Sequence, residues 1–323
     1  MERSAADFSR LSWYPFSEDP VIGGRWNLRR VGEPAFLFPE QSPDGRWHLF
    51  AQSLLGIEHF SSENGISWQT EKLVVYRGRT PSLFFDDGMW YLLYESRANS
   101  FKRKFGSRKS RSEIKIIGSE DLVRFGEAVT LVEADALGVD CLSSPQLLNV
   151  GGEYRLYYGV GERPIFGTRE RATQSLAVAI SSSALGPYIP YDDGEPIISS
   201  SADSNNQSLA VGRVRIVALE RGFVALESAY YWDEKHKKAV SALIQLQSSD
   251  GFSWSQSARN VLLSTPETGW ASSFLLSCDV HYKESEACWY CYFSANSYRY
   301  GLLERAAIGL LLGKQPTLRR LTE

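Results

Sequence analysis

Hydrophobic and polar positions along this chain alternate in short runs, with almost no 3.6-residue periodicity. The same order of runs recurs five times. Each unit opens on an apolar run: Pro34-Ala-Phe-Leu-Phe38, Pro81-Ser-Leu-Phe-Phe85, Pro145-Gln-Leu-Leu-Asn149, Val214-Arg-Ile-Val-Ala218 and Ser273-Phe-Leu-Leu-Ser277. An aromatic-rich run follows, as in Trp47-His-Leu-Phe-Ala51, Trp90-Tyr-Leu-Leu-Tyr94 and Trp289-Tyr-Cys-Tyr-Phe293. A third run ends in small polar residues, as in Gly56-Ile-Glu-His-Phe-Ser-Ser62 and Ala242-Leu-Ile-Gln-Leu-Gln-Ser-Ser249. Between the first and second runs stand hairpin-type turns, Pro43-Asp-Gly45, Asp86-Asp-Gly88, Gly151-Gly152 and Arg221-Gly222; the fifth, near Lys283 to Glu286, is weaker. Two units then carry nearly the same phrase, Ser62-Glu-Asn-Gly-Ile-Ser-Trp68 and Ser249-Asp-Gly-Phe-Ser-Trp254. The aromatic at its end anchors an outermost strand.

Short strands at regular spacing with turn signals predict an all-β fold. Five similar units of about four strands each predict a five-bladed β-propeller occupying residues 1–323 as one domain. A pair of packed sheets would not require five similar units. The last unit has little room for a fourth strand, and Asp19-Pro-Val-Ile22 is the expected substitute. An N-terminal strand joining the last blade closes the ring and removes its sheet edges.

That architecture gathers distant residues. In a blade the first strand lies nearest the axis, antiparallel to the second. The start of the first strand, the end of the second and the loop after it therefore share one end of the channel. Strand starts offer Glu33, Arg79, Thr80, Asp140, Ser143, Ser144, Arg213 and Trp270; second-strand ends offer Glu95, Arg97, Glu162, Arg163, Tyr230, Tyr231, Asp233, Asn296 and Tyr298, with Tyr231, Trp270 and Tyr298 preferred as the aromatic lining. Carboxylates and arginines that bond hydroxyls, with aromatic faces that stack on ring C–H groups, suit a sugar. Cleaving a glycosidic bond takes two carboxyl groups, one a proton donor and one a base or nucleophile. Glu33, Glu95, Asp140 and Glu162 are the candidates. The structural alternatives are that Glu33 bonds backbone amides, Glu95 pairs with Arg97, Glu162 pairs with Arg163, and Asp140 caps a turn.

Composition narrows the partners. Of 323 residues 43% are hydrophobic, and the net charge is −3, which gives no general support for nucleic acid. The first thirty residues lack a basic segment followed by an apolar run, so no signal peptide is expected; no stretch has the length of a membrane span. Cys141, Cys278, Cys288 and Cys291 read as buried free thiols, and the expected compartment is the cytoplasm. Cys288 and Cys291 fall three apart on a strand and face opposite ways. The four histidines lack metal-ligand spacing, His59 reading as a packing or hydrogen-bonding residue, and no glycine-rich phosphate loop opens a helix. No metal or cofactor is expected. Phe101-Lys-Arg-Lys-Phe-Gly-Ser-Arg-Lys-Ser-Arg111 carries six positive charges between the second and third strands of its unit. Such a run is either a solvated loop or a recognition element for a phosphate, sulfate or carboxylate on the substrate.

Gly32-Glu-Pro-Ala-Phe-Leu-Phe38, Arg79-Thr-Pro-Ser-Leu-Phe-Phe-Asp-Asp-Gly-Met-Trp-Tyr-Leu-Leu-Tyr94 and the Ser-Asp-Gly-Phe-Ser-Trp phrase resemble the five-bladed glycoside hydrolases, among them family 43, the invertase and levansucrase families and the mannoside phosphorylase-like family 130. The resemblance spans nearly the whole chain and implies a glycosidase-type hydrolase. Those families place an Asp before Pro in the first blade, where this chain has Glu33. The invertase-like Arg-Asp-Pro of the second blade here reads Arg79-Thr80-Pro81, and a later family-43 Asp before Pro is matched by Ser144. No Glu-Gly-Pro or Glu-Cys-Pro phrase supplies a general acid. The expectation is a carbohydrate-active enzyme, on an anionic sugar, with Glu33 as base or nucleophile. The alternatives are a catalytically degenerate propeller that binds a glycan or a partner, and a non-hydrolytic biosynthetic enzyme using the same channel mouth.

Overall fold

Five antiparallel sheets make up the computed structural model, which describes residues 3–23, 30–97, 112–200, 208–266, 269–299 and 303–316. A short N-terminal strand β1 (Ser12–Pro15) belongs to the last sheet. Blade 1 runs β2 (Gly32–Leu37), β3 (Trp47–Gln52), β4 (Gly56–Ser62) and β5 (Gln69–Tyr76). Blade 2 runs β6 (Arg79–Asp86), β7 (Met89–Arg97), β8 (Ser112–Ser119) and β9 (Val129–Glu133). Blade 3 has β10 (Leu142–Val150), β11 (Glu153–Pro164) and β12 (Arg171–Ser181), with β13 (Ile189–Pro190) and β14 (Ile198–Ser199) as two short outer pieces. Blade 4 is β15 (Val214–Ala218), β16 (Phe223–Asp233), β17 (Lys238–Ser248) and β18 (Ser255–Ser264). Blade 5 is β19 (Phe274–Lys283), β20 (Cys288–Arg299), β21 (Leu303–Lys314) and then β1.

The inner strands touch in a closed circle, β2 to β6, β6 to β10, β10 to β15, β15 to β19 and β19 back to β2. The fold is therefore the five-bladed propeller that the repeats predict. Closure by the N-terminal chain holds too, but the pairing strand is Ser12–Pro15, opposite Leu311 to Lys314. The expected segment, 19–22, adds only a bridge from Ile22 to Ile308 on the same strand. Pro20 lacks an amide donor, which shortens what that stretch can contribute to a ladder.

Strand alternation explains how the blades stack. Neighbouring residues face opposite sides of a sheet, and here both sides are covered. Leu49 and Phe50 are both fully buried, yet Leu49 packs toward Tyr292 and Leu310 of blade 5, while Phe50 packs toward Trp90 and Leu92 of blade 2. Similar apolar layers fill the remaining interfaces between blades 2 and 3, 3 and 4, and 4 and 5. Truncating a side chain such as Phe50 to Ala in such a layer costs about 3–5 kcal/mol.

The recurring Ser-x-Asn/Asp-Gly phrase is a latch between blades. Ser62 Oγ accepts the amides of Asn64 and Gly65, and the Asn64 side-chain oxygen accepts those of Ile66 and Ser67. Ser248 and Asp250 repeat the pattern around Gly251. A tyrosine of the neighbouring blade then donates to each glycine carbonyl, Tyr292 to Gly65 and Tyr157 to Gly251.

Polar groups join the inner strands near the axis. Asp279 of β19 accepts the Phe36 amide of β2 at 2.9 Å and pairs with Arg215 of β15 at 3.2 Å. Arg215 reaches the Pro81 carbonyl of β6 at 3.4 Å. Gln146 of β10 exchanges two hydrogen bonds of 2.7 Å with the Ile216 backbone. No helix among the described residues is long and apolar enough to cross a membrane. The four cysteines are free and buried. His59 is buried, bonded to His48 at 2.8 Å and stacked on Phe50; burial, then the charges of His48 and Lys72, lower its pKa to about 3.

Candidate functional site

Three inner strands begin with the same unusual backbone. Glu33, Thr80 and Ser144 each precede a proline and have φ of 55°, 48° and 48°. Non-glycine residues seldom adopt this region. At each one the pairing with the next strand shifts register, between Gly32 and Ala35, Arg79 and Ser82, and Ser143 and Gln146. Such a bulge re-aims a side chain. Glu33, Thr80, Ser144, Arg213 and Ser277, one from each blade, line a narrow space. That space adjoins a wider cavity of about 550 Å³, to which Glu33 and Arg213 also belong.

Charge dominates the wider cavity. Arg79, Arg97, Arg171 and Arg213 line it, together with Arg30, Arg77 and Arg169, against Glu33, Glu162 and Glu170. The carboxylates are held by guanidinium groups or amides. Glu33 lies 3.4 Å from Arg213 Nε, and Glu170 accepts from the Asn296 side chain at 3.0 Å. Glu162 accepts from Arg97 at 3.1 Å and Arg171 at 3.3 Å. Glu95 is fully buried, bonds Arg97 and sits 3.7 Å from Arg79. Its second oxygen is buried and makes no hydrogen bond with a described residue.

Arg213 is fixed from several sides. It donates to Thr173 Oγ1 at 2.8 Å and Ser143 Oγ at 3.1 Å. Burial disfavours its charge, but Glu33, Glu95 and Glu162 outweigh burial and raise its pKa. Arg97 follows the same logic with Glu95 and Glu162. For Glu162, burial pushes the carboxyl up; Arg97, Arg213, Arg79 and Arg171 push harder, and the net shift is downward. It is held ionised at neutral pH and is a poor proton donor. Burial and the Glu95 charge raise the Cys141 thiol, and the Ser143 hydroxyl's bonded neighbours are Thr173 and Arg213. Among the described residues, neither is hydrogen-bonded to a carboxylate or imidazole that could serve as its base. Among the described residues no group of three or more His, Cys, Asp or Glu side chains could hold a metal ion.

The structure brings Glu33, Arg79, Arg97 and Glu162 into the cavity, with Glu95 beneath them and Thr80, Ser143 and Ser144 around the axial opening. Four other expected residues stand elsewhere. Asp140 is exposed ahead of β10 and is not part of the lining. Arg163 is exposed, because Glu162 beside it takes the inward face of β11; Arg97 and Arg171, not Arg163, pair with Glu162. Tyr231 faces away for the same reason, and its neighbour Tyr230, 3% exposed, lines the cavity instead. Trp270 packs on Phe293 and donates to the Glu18 carbonyl, so it fastens the N-terminal segment. The Tyr298 side chain and the basic run 101–111, with Lys102, Arg103 and Lys104, lie outside the described residues.

Sequence reasoning named Tyr230 but preferred its neighbour Tyr231, and it passed over Thr173 and the central part played by Arg213. Arg213 carries a readable signal, since it starts the fourth inner strand as Glu33 starts the first. Thr173 carries none, because its role depends on the β11–β12 register that sets it opposite Glu162.

The chain matches no protein-family model. It matches no curated protein sequence. Its fold does match solved structures. Zg3597, a family 117 glycoside hydrolase of the marine bacterium Zobellia galactanivorans, is 13% identical with a TM-score of 0.61, over 96% of this chain and 92% of that one. A thermostable family-43 glycoside hydrolase is 16% identical with a TM-score of 0.63, over 88% and 89%. The Cellvibrio cellulosa α-L-arabinanase is 13% identical with a TM-score of 0.56, over 86% and 91%. The class is thus a five-bladed β-propeller of the architecture found in these glycoside hydrolases. At such identities the likeness is one of fold.

Proposed function

We propose that the protein is a carbohydrate-active enzyme of glycosidase type, acting on a negatively charged sugar in the arginine-lined cavity at the channel mouth. One observation carries this reading: seven arginines and three glutamates converge on a single cavity of about 550 Å³, a volume usual for small-molecule sites. An excess of guanidinium groups suits a ligand that brings its own negative charge. Glu33 is the base: paired with Arg213 at the axis, it takes the proton of a water that attacks the anomeric carbon.

A second reading, a propeller that binds such a glycan without cleaving it, is favoured by Glu162, which is held ionised where hydrolysis of an ordinary glycoside would want an acid. Calorimetric titration with uronate-containing and sulfated oligosaccharides, beside their neutral counterparts, tests both. Salt-sensitive binding of the anionic set, with product formation lost in Glu33→Gln, supports the enzyme. Binding without product favours the second reading. Equal affinity for neutral and anionic sugars overturns the anionic substrate.

A further inference from the structure

The cavity is rich in groups that stabilise an anion and poor in groups that give up a proton. Its glutamates are engaged by guanidinium groups or, for Glu170, by the Asn296 amide. Beneath them, Glu95 is bonded to Arg97. A paired carboxylate of this kind serves as a base or an electrostatic anchor. Yet an alcohol leaving a sugar as alkoxide needs a proton, because its conjugate acid is about as weak as water, with a pKa near ~16. A phosphate monoester does not, because its second pKa is only about 6.

Resting on the reading of the site as one for an anionic sugar, we propose that the substrate is a glycosyl phosphate ester, a sugar whose anomeric oxygen is esterified to a phosphodiester or diphosphate. Water attacks the anomeric carbon and gives a proton to the Glu33 carboxylate. The bond between that carbon and the phosphate-bound oxygen breaks, and its electron pair leaves with the phosphate, which departs as an anion beside the guanidinium groups of Arg97, Arg79 and Arg171. Nothing is oxidised or reduced. The products are the free sugar and a phosphate monoester or nucleoside diphosphate, and the proton on Glu33 returns to solvent. The arginines then act where charge develops, as donors to the departing oxyanion. Arg171 is half exposed, with 54% of its side chain open to solvent, so a leaving group that extends out of the cavity passes against it.

The test incubates the full chain, in water enriched in oxygen-18, with a panel of nucleoside-diphosphate hexoses and pentoses, beside synthetic glycosyl phosphodiesters, 4-nitrophenyl glycosides and methyl glycosides. The expected result is release of free sugar carrying the heavy oxygen at its anomeric carbon, with the methyl glycosides inert. Turnover of the diphosphates alone, or of the simple phosphodiesters as well, distinguishes a nucleotide donor from a glycan phosphodiester, and either supports the proposal. Glu33→Gln lowers the rate at least about 100-fold. Arg171→Gln, at a site where solvent replaces the lost contact, raises KM for the phosphates by a larger factor than KM for 4-nitrophenyl glycosides. Cleavage of methyl glycosides without cleavage of any phosphate overturns the proposal and leaves the glycosidase reading standing. Heavy oxygen found in phosphate rather than in sugar overturns it as well. Failure of every phosphate in the panel to react overturns the proposal, whereas the reading of the site as one for an anionic sugar falls only if the uronate and sulfated oligosaccharides also fail to bind.

Discussion

Replacing Asp279 by Asn should weaken the ring at its axis, most of all near neutral pH. The carboxylate is 4% exposed and links three blades by itself: its own β19, β2 through the Phe36 amide and β15 through Arg215. Burial raises its pKa, but the charges of His281 and Arg215, with bonds from His281 and the Phe36 amide, bring it from 3.8 down to about 2. A depression of that size corresponds to roughly 2 kcal/mol of folding stability. The sign follows from the folded value lying below the unfolded one. The contribution is complete above an unfolded pKa of about 4 and is lost as pH falls through about 2. Asn keeps an oxygen for the Phe36 amide but leaves Arg215 without its counter-charge, which puts the total cost at about 3–5 kcal/mol. Urea unfolding followed by tryptophan fluorescence should show the midpoint falling by about 1–1.7 M at pH 7, for a slope of about 3 kcal/mol per M. The gap between wild type and Asp279→Asn should narrow steadily toward pH 2. Adding Arg215→Met should recover part of the loss, because it removes the stranded charge. Equal midpoints at pH 7, or a gap that stays constant down to pH 2, would refute the linkage.

Thr173→Val removes the 2.8 Å acceptor of Arg213; a bond to a charged group is worth about 1.5–3 kcal/mol, so ligand affinity should fall about 10- to 100-fold in calorimetry. Arg163→Ala should leave that affinity unchanged, since Arg163 is exposed and outside the lining, whereas Arg97→Ala should abolish it. Gly65→Ala should lower stability by about 1–3 kcal/mol in thermal melts, because Gly65 has φ +72° and an added Cβ would lie 2.9 Å from Tyr292 and 3.0 Å from Trp47. Glu162 has a lowered pKa, so its ion pairs persist below the usual carboxylate range and fail only on further acidification; Glu162→Gln should flatten that acid limb of the stability curve measured by urea midpoints.

The fold was legible because its signals are local and repeated. Trp47, Trp90 and Trp289 each stand at the first or second position of a second strand, and all three are nearly buried. The Ser-x-Asn/Asp-Gly phrase was legible as a repeat but not as a latch, since the tyrosines that close it, Tyr292 and Tyr157, lie far away in sequence. The closing strand was placed a few residues late. Val21 and Ile22 carry the stronger apolar signal, whereas Ser12–Pro15 pairs along β21 with side chains that are mostly exposed.

The site was legible only as far as strand polarity could take it. Inner-strand starts were found because they follow from topology: Glu33, Thr80 and Ser144 share one backbone conformation at one place in successive blades. Second-strand ends were found less well, because the last residues of β11 and β16 alternate faces and a slip of one residue exchanges inside for outside. Glu162 and Arg163 show this on β11, and Tyr230 and Tyr231 show it on β16. What no single-residue signal could reveal is how the inner strands of five blades meet. Glu33, Thr80, Ser144, Arg213 and Ser277 crowd one axial opening, so the chemistry of each is set by the others. A carboxylate facing a guanidinium across that opening has an ion-pair partner, whereas one facing a second carboxylate would meet like charge. By putting Arg213 opposite Glu33, and Thr80 and Ser144 beside it, the chain leaves one carboxylate lining that opening and sets Glu162 out among the arginines.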